Sequence, residues 1–258
     1  MKTLKIIKIG GNIIDDTKKL PSFLEKFASL KGPKLLVHGG GKLATSMAQQ
    51  MGIEVKMHQG RRITDADTLD IITMTYAGKI NKNIVATLQA YQCNAIGFSG
   101  ADGNTIIAKK RPIEAIDFGF VGDITQVNTS ILDVLIHNHI TPVFCAISHD
   151  EQGQLLNTNA DTIASELAIA FSENYTVELY YCFEKKGVLQ SLQDEDSVIQ
   201  TIHQNKYPSL IQEGIITEGM IPKIDNCFYA INHNVHKVCI GLPHMIFNPT
   251  SIHTTIQK

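Results

Sequence analysis

The chain has 258 residues, of which 43% are hydrophobic and 19% are charged. This composition excludes an intrinsically disordered chain and supplies enough apolar surface for a substantial buried core. The 23 basic residues nearly balance the 25 acidic residues, leaving a formal charge of -2, which argues against a nucleic-acid or membrane partner that needs a concentrated basic face.

Six short apolar runs, rich in isoleucine and valine, alternate with helical patterns along the chain. The runs cover residues 4–9, 34–38, 94–98, 142–147, 177–183 and 237–242. Because they are apolar on both faces and separated by helices, they predict central strands of a mostly parallel sheet that is covered on both sides. Between residues 102 and 127, short alternating segments predict one or two hairpins beside that sheet.

The clearest helix is predicted between residues 66 and 91. A Thr64-Asp65 cap precedes it, and apolar side chains follow at helical spacing. No internal repeat or long linker interrupts the sequence, so we expect one continuous sheet with two lobes that divide near residues 157–166.

The first candidate site is K-I-G-G-N at residues 8–12. Lys8 lies among isoleucines on a strand predicted to be buried, where an unpaired ammonium group is costly, so we expect it to face an anion at the end of the strand. Gly10, Gly11 and Asn12 follow and expose backbone N–H groups beside it. The alternative is an edge-strand lysine before an ordinary tight turn.

The second candidate site is H-G-G-G-K at residues 38–42, where a strand leads into a helix. Gly40 and Gly41 at a helix N-terminus let a carboxylate or phosphate approach unpaired N–H donors and the positive end of the helix dipole. The segment lacks the Walker A spacing. Gly39, Gly41 and Ala44 do match the dinucleotide-binding pattern G-x-G-x-x-A, so that type of site stays open.

Three later motifs add charged and amide side chains. Arg61 and Arg62 are adjacent, and a guanidinium group suits bidentate binding of a carboxylate, but neighbouring side chains diverge and at most one is expected to face the site. Asn157 offers amide donors. Asp161 falls at the start of a helix predicted at 162–170, and taken alone its position favours a plain helix-dipole or capping residue.

Lys223 closes the series in the segment T-E-G-M-I-P-K. Gly219 is expected to break the chain, and Pro222 suits the first turn of a helix predicted at 223–231. A cation near a helix start is unfavourable unless an anion is bound there. In isolation, a surface lysine is the alternative.

The cysteine pattern and the apolar runs bear on the compartment. The five cysteines are odd in number, widely spaced and without a C-x-x-C pair, so neither a disulfide framework nor a zinc or other metal site is predicted. No apolar run of the sequence approaches the roughly 18 residues of a membrane helix. The sequence therefore predicts a cytoplasmic protein.

Taken in order, the five motifs resemble those of the amino-acid kinase family. The match runs from Lys5 to about Lys223 and keeps K-x-G-G-N, H-G-G-G, G-R-R-I-T-D, L-N-T-N-A-D and G-I-I-T-E-G-M-I-P-K in register. The resemblance implies an α/β fold, a three-layer αβα sandwich around an open, mainly parallel eight-stranded sheet of the carbamate kinase-like type. It implies a lobe of residues 1–160 that holds an acylated glutamate, a lobe of residues 161–258 that holds ATP, and a homodimer.

The resemblance also implies an activity, in which ATP phosphorylates the γ-carboxylate of the acylated glutamate. Lys8 and Lys223 would neutralise the transferring phosphoryl group, and Asp161 would orient them. Mg²⁺ would arrive with ATP and be held mainly by its phosphates. The remaining roles implied by the resemblance are backbone donors near phosphate and contacts to the substrate: Gly10, Gly11, Asn12, Gly40, Gly41, Arg62 and Asn157.

Three features depart from the family pattern. Residues 183–187 read F-E-K-K-G where the family usually has Ser or Thr followed by Asp near the nucleotide, and residues 252–255 read I-H-T-T where it commonly has Gly-Thr. The chain also starts directly at its first strand, without the N-terminal helix that accompanies hexamers and arginine inhibition in family members. We therefore expect an arginine-insensitive dimer.

Several interpretations stay open beside this one. An NAD-binding oxidoreductase would use Gly39, Gly41 and Ala44, and a non-catalytic sensor would bind a ligand without turning it over. For a kinase, the acyl group is open between acetyl and succinyl, because Lys42 and Arg61 add cations that could pair with the extra carboxylate of a succinyl group.

Overall fold

The computed structural model describes residues 1–217, 220–248 and 250–258. The strands in chain order are β1 (Thr3–Ile9), β2 (Lys34–His38), β3 (Met57–His58), β4 (Arg61–Arg62), β5 (Ala95–Phe98), β6 (Ile106–Lys110), β7 (Gly122–Val127), β8 (Thr141–Phe144), β9 (Ile147–His149), β10 (Leu155–Asn157), β11 (Thr176–Cys182), β12 (Thr201–His203), β13 (Lys237–Gly241) and β14 (Thr254–Gln257).

The helices in chain order are α1 (Gly11–Ile14), α2 (Lys19–Ser29), α3 (Gly41–Gln50), α4 (Ala66–Thr73), α5 (Asn81–Ala90), α6 (Ser130–His137), α7 (Ala160–Phe171), α8 (Tyr207–Gln212), α9 (Ile221–Asn232) and α10 (His244–Phe247). A π-helical segment, Met74–Ile80, joins α4 to α5, and a 3-10 helix spans Asp102–Asn104.

Within the described residues, eight strands form a central sheet in the order β12-β14-β13-β11-β1-β2-β8-β5. Every neighbouring pair is parallel except β13 and β14, which are antiparallel. All five residues of β2 are buried, and because successive side chains point to opposite faces, both faces of the sheet are covered there. The predicted αβα sandwich with a mainly parallel eight-stranded sheet is confirmed.

The run at 142–147 was predicted to be one strand, but it contains parts of two strands. β8 ends at Phe144 in the central sheet, and β9 begins at Ile147 in a second sheet of order β10-β9-β6-β7. Residues 144–148 are all buried, so the apolar pattern continues across the change of sheet and does not mark it. The predicted hairpin is β6 paired with β7.

The predicted helix at 66–91 is continuous but changes its winding in the middle. Asp65 caps it, accepting a hydrogen bond from the backbone N–H of Thr68 at 2.9 Å. The π-helical turn then shifts the register, so that the adjacent residues Ile80 and Asn81 are both buried. Such turns often occur near functional sites.

The strands next to the centre of the sheet set the position of the candidate site. β11, β1 and β2 are parallel neighbours, with Lys8 paired to Tyr181 and to Val37. Parallel strands end at the same edge of a sheet, and ligands of open α/β folds bind at that edge. The segments that follow Ile9, His38 and Cys182 therefore emerge side by side.

The described residues contain no helix of sufficient length and apolar character to span a lipid bilayer. All five cysteines are free and buried.

Candidate active site

Two lysines and one aspartate meet at the carboxyl edge of the central sheet. The Nζ atom of Lys8 lies 2.7 Å from Oδ1 of Asp161, and the Nζ atom of Lys223 lies 2.5 Å from Oδ2. Each oxygen of the carboxylate thus binds one ammonium group. The three side chains, which we call the lysine-aspartate cluster, are only 13–15% exposed.

Helix geometry fixes the carboxylate of this cluster. Asp161 lies in the first turn of α7, and the side chain of Asn159 caps that helix by accepting the backbone N–H of Asp161 at 2.7 Å. The hydroxyl of Tyr181 donates to the backbone carbonyl of Asp161 at 3.0 Å. Lys223 lies in the first turn of α9, as predicted, with its ammonium group 5.6 Å from the centre of the Tyr181 ring.

The cluster carries a net positive charge in a largely dry place. Burial by itself raises the pKa of the Asp161 carboxyl, but the charges of Lys8 and Lys223 outweigh burial and hold the pKa well below its usual value of 3.8. Asp161 therefore stays ionised at neutral pH. Two ammonium groups against one carboxylate leave one positive charge, which attracts an anionic ligand.

This pKa shift predicts how the stability of the protein depends on pH. Because the folded-state pKa of Asp161 lies below 3.8, the ion pairs stabilise the fold fully above that pH and are lost as pH falls through the folded value. We expect Asp161→Asn to lower the free energy of unfolding by about 3 kcal/mol at pH 6. Urea unfolding from pH 7 to pH 3 measures the difference in free energy of unfolding between the parent protein and Asp161→Asn. This difference should be constant down to pH 5 and shrink below pH 4. A difference that grows on acidification would contradict the assignment.

A cleft of about 460 Å³ opens over the cluster. It is lined by Lys8, Gly10, Gly11, Asn12, Ile13, Gly41, Lys42, Cys182, Phe183, Glu184 and Lys223. The first two glycine motifs and both lysines thus share one space. The predicted chain break at Gly219 lies outside the described residues.

Polar contacts cross this cleft from one loop to another. The ammonium group of Lys42 donates to Oδ1 of Asn12 at 3.2 Å, and the amide of Asn12 donates to the carboxylate of Glu184. Lys42 is thereby directed towards the loop that follows β1. Arg61 is exposed on β4 and is not among the described residues that line this cleft.

Arg62 connects the short hairpin β3–β4 to the second glycine motif. Its guanidinium group donates to the carbonyl of Gly41 at 3.0 Å and to the hydroxyl of Thr45 at 2.8 Å. Asn157 donates to the hydroxyl of Thr64 at 3.0 Å, just after this hairpin. Gly41 lines the cleft above Lys8 and also accepts a hydrogen bond from Arg62. It therefore connects the lysine-aspartate cluster to the hairpin that carries Arg62.

Two residues that the sequence did not reveal as part of the site support the glycine motif from below. A Cβ atom on Gly40 would lie 2.3 Å from Cδ1 of Ile80 and 3.0 Å from the ring of Tyr76. Both side chains come from the π-helical segment. Ile80 was one of the apolar side chains at helical spacing that predicted this helix, and Tyr76 was not singled out, so neither residue pointed to the site.

A methyl group at Gly40 should therefore be poorly tolerated. We expect Gly40→Ala to destabilise the fold by about 1–3 kcal/mol, because the added atom overlaps Ile80 and Tyr76. Gly78→Ala is the matched control on the π-helical segment, since a Cβ there meets nothing within 4 Å. Thermal unfolding of both variants tests this, and equal melting temperatures would contradict the packing argument.

The fold is an αβα sandwich, and the cleft at the carboxyl edge of its sheet carries positive charge and is lined by glycines, which suits an anionic ligand. The sequence model for the amino acid kinase family matches residues 3–241. The chain belongs to the amino acid kinase family. It is thus a kinase, and membership of this family implies that it uses ATP. The predicted class of enzyme is therefore confirmed. Family membership does not support the oxidoreductase or the sensor.

Individual proteins agree with this placement. The chain is 56% identical over 241 residues to an acetylglutamate kinase of Cytophaga hutchinsonii, covering 93% of this chain and 91% of that protein. Its fold is similar to the crystal structure of smu.665 from Streptococcus mutans, with a TM-score of 0.82, 24% identity and 98% of each chain covered. Carbamate kinase from Giardia lamblia bound to AMP-PNP has a TM-score of 0.71 at 14% identity, covering 100% of this chain and 98% of that one.

Proposed function

We propose that this chain is an acetylglutamate kinase, which transfers the γ-phosphoryl group of ATP to the γ-carboxylate of N-acetyl-L-glutamate. The product is N-acetyl-L-glutamyl 5-phosphate, in a step of arginine biosynthesis. The observation that carries the proposal is the binding of both Lys8 and Lys223 by one carboxylate under two glycine motifs. The identity of 56% to an enzyme of that name supports it.

The chemistry of this transfer requires what the cleft contains. A γ-carboxylate is already ionised at neutral pH, so no general base has to activate it. The difficulty is to hold an anionic nucleophile against an anionic phosphoryl group, which positive charges and N–H donors solve by stabilising the charge that moves between the oxygens. The lysine-aspartate cluster supplies that charge.

The roles follow from position. We propose that Lys8 and Lys223 contact the transferring phosphoryl group and that Asp161 holds both ammonium groups in place. The N–H groups of Gly10, Gly11 and Asn12 would donate to phosphate oxygens, beside Lys8. Those of Gly40 and Gly41, with the side chains of Arg62 and Asn157, would hold the acylated glutamate.

We further propose that Mg²⁺ enters with ATP, bound mainly by phosphate oxygens and water. Asp161 is already bound by two ammonium groups and Glu184 by Asn12. Among the residues with described positions, no three His, Cys, Asp or Glu side chains form a group able to hold a metal ion. These side chains therefore fit a metal carried by the nucleotide. When bound, Mg²⁺ would offset the negative charge of the phosphates.

The division into lobes follows the same logic. We propose that residues 1–160 bind the acylated glutamate and residues 161–258 bind ATP. The proposed boundary falls at the start of α7, next to Asp161, so the residue that joins the two lysines would lie where the lobes meet. The five buried free cysteines fit a reducing cytoplasm, which we propose as its location.

We propose that the homodimer forms at the edge of the central sheet that ends in β5. In the described part of the chain, β5 pairs on one side only, with β8. Ile96 on β5 is 40% exposed, and Val134 on α6, the helix that packs against β8, is 55% exposed. An exposed apolar edge strand favours pairing with another chain, and a second copy would cover it symmetrically.

Charging this edge should separate the subunits. We expect Ile96→Lys to shift the protein from dimer to monomer in light scattering, because an edge lysine blocks strand pairing. Lys79→Ala is the control. Lys79 is exposed on the π-helical segment, away from the edge strand β5 in the sequence, and this variant should remain dimeric. A dimeric Ile96→Lys protein would place the interface elsewhere.

The proposed activity is tested by ADP release with a panel of acceptors: N-acetyl-L-glutamate, N-succinyl-L-glutamate and free glutamate. Hydroxylamine traps an acyl phosphate as a hydroxamate, so hydroxamate should form in equal amount to ADP. We expect turnover of the acetyl compound and little of free glutamate. If kcat/KM were higher for the succinyl compound and fell in Arg61→Ala, the substrate would be the succinylated rather than the acetylated glutamate. ADP release without hydroxamate would contradict transfer to a carboxylate.

A further inference from the structure

The last residue of β2, His38, is completely buried directly beneath the second glycine motif. Its Nδ1 atom lies 2.8 Å from the carbonyl oxygen of Gly39, and its Nε2 atom lies 3.0 Å from Nδ2 of Asn81. Asn81 is the first residue of α5, directly after the π-helical turn, and is also buried. None of the roles proposed above uses either side chain.

The contacts of Asn81 determine which nitrogen of His38 carries the proton. Nδ2 of Asn81 also lies 2.9 Å from the carbonyl oxygen of Val143. A carbonyl oxygen only accepts, so the atom that faces it is the amide nitrogen, and the same nitrogen donates to Nε2 of His38. His38 therefore holds its proton on Nδ1 and donates it to Gly39. Burial lowers the pKa of His38 to about 4, so the ring stays neutral.

The position of Asn81 is itself fixed by the neighbouring strand. A Cβ atom on Gly97 of β5 would lie 1.7 Å from Oδ1 of Asn81, so the side chain occupies the space that any other residue at position 97 would fill. Together, Val143, Gly97 and His38 hold the amide from three adjacent strands. The pair is thus a rigid support.

This support controls a peptide group of the glycine motif. No cis peptide bond occurs in the described residues, and in a trans peptide the C=O and the following N–H point in opposite directions. A hydrogen bond that holds the Gly39 carbonyl towards His38 therefore turns the N–H of Gly40 away from it. A peptide between two glycines flips easily without such a bond, because neither residue has a Cβ atom.

We infer that His38 and Asn81 are positioning residues, which keep the Gly40 N–H turned outward as a donor to a carboxylate of the acylated glutamate. This inference rests on the proposed function for the identity of the ligand. A flipped peptide would present the Gly39 carbonyl oxygen instead, and two negative groups would then face each other. Loss of the hydrogen bond from His38 to Gly39 should weaken binding of the acceptor and leave binding of ATP nearly unchanged.

Two replacements of His38 separate positioning from bulk. The amide nitrogen of Asn can occupy the place of Nδ1, whereas the longer Gln places its amide nearer to Nε2. We expect His38→Gln to raise the KM for N-acetyl-L-glutamate about 10-fold, the effect of one lost hydrogen bond to a charged group, with the KM for ATP within twofold. His38→Asn should recover most of that loss, and Thr75→Val, a buried change on the π-helical segment, should alter neither constant.

Nitrogen-15 NMR of the unmodified protein gives a second readout that needs no turnover. From pH 5 to pH 8, Nδ1 of His38 should carry a proton and Nε2 should not. The amide resonance of Gly40 should change its chemical shift when N-acetyl-L-glutamate binds but not when ATP binds. A proton on Nε2, a Gly40 amide that ignores the acceptor, or equal losses in His38→Gln and His38→Asn would overturn the inference. Absence of ADP release with every acylated glutamate would instead contradict the proposed function, while the state of His38 would still be decided.

Discussion

Replacing Lys8 by alanine is expected to lower kcat by about 10²- to 10³-fold, by analogy with the loss of one preorganised donor to transition-state charge. Lys8 holds one oxygen of Asp161 and faces the cleft, so its removal takes away positive charge where a phosphoryl group would transfer. The fold should survive, because Asp161 keeps its ion pair with Lys223.

Steady-state kinetics of Lys8→Ala, with circular dichroism to verify folding, measures this effect. Lys5→Ala is the matched control, since Lys5 lies on the same strand three residues earlier and does not line the cleft. A kcat of Lys8→Ala within fivefold of the parent enzyme would remove Lys8 from the proposed mechanism.

Asp161→Asn is expected to reduce kcat at least as strongly, for a different reason. The carboxylate neutralises one of two adjacent ammonium groups and holds both at fixed distances. Without it, the lysines repel each other and leave their positions, although the cluster then carries two positive charges instead of one. We therefore expect kcat to fall by a factor of 10² or more while the KM for ATP stays the same or decreases.

This split between kcat and KM distinguishes loss of positioning from loss of binding. Asp67→Asn is the control, because Asp67 is an exposed aspartate in the first turn of α4 and lies in a chemically similar place without a catalytic role. If Asp161→Asn raised the KM for ATP and spared kcat, the carboxylate would have to act on the nucleotide itself.

Some features of the site could be predicted from the sequence because their cause is local. Lys8 stands among the isoleucines of a strand predicted to be buried, and the cost of burying an unpaired charge there favours an anionic partner. Glycines that follow a strand and precede a helix likewise expose N–H groups by local geometry. A parallel sheet then brings the ends of such strands to one edge, so the neighbourhood of the two glycine motifs also follows from the predicted strands.

Other features depend on contacts between distant segments. Asp161 by itself looks like a residue that favours a helix N-terminus, and Lys223 by itself looks like a surface lysine. Only the packing of α7 against β1, and of α9 against α7, places both side chains beside Lys8. The β8–β9 boundary had no sequence signal either, since burial continues through it.

From its local patterns, the sequence predicted the alternation of strands and helices, and it favoured anion binding at the glycine motifs and an anionic partner for Lys8. These follow from side-chain periodicity, backbone freedom and the cost of desolvating a charge, which act over a few residues. Local pattern left the partner of Lys8 open, and the family resemblance implied Asp161. The tertiary structure brings both ammonium groups to that carboxylate and puts His38 and Asn81 under the glycine motif. Those choices depend on which segments pack together, and that is a property of the whole core rather than of any local pattern.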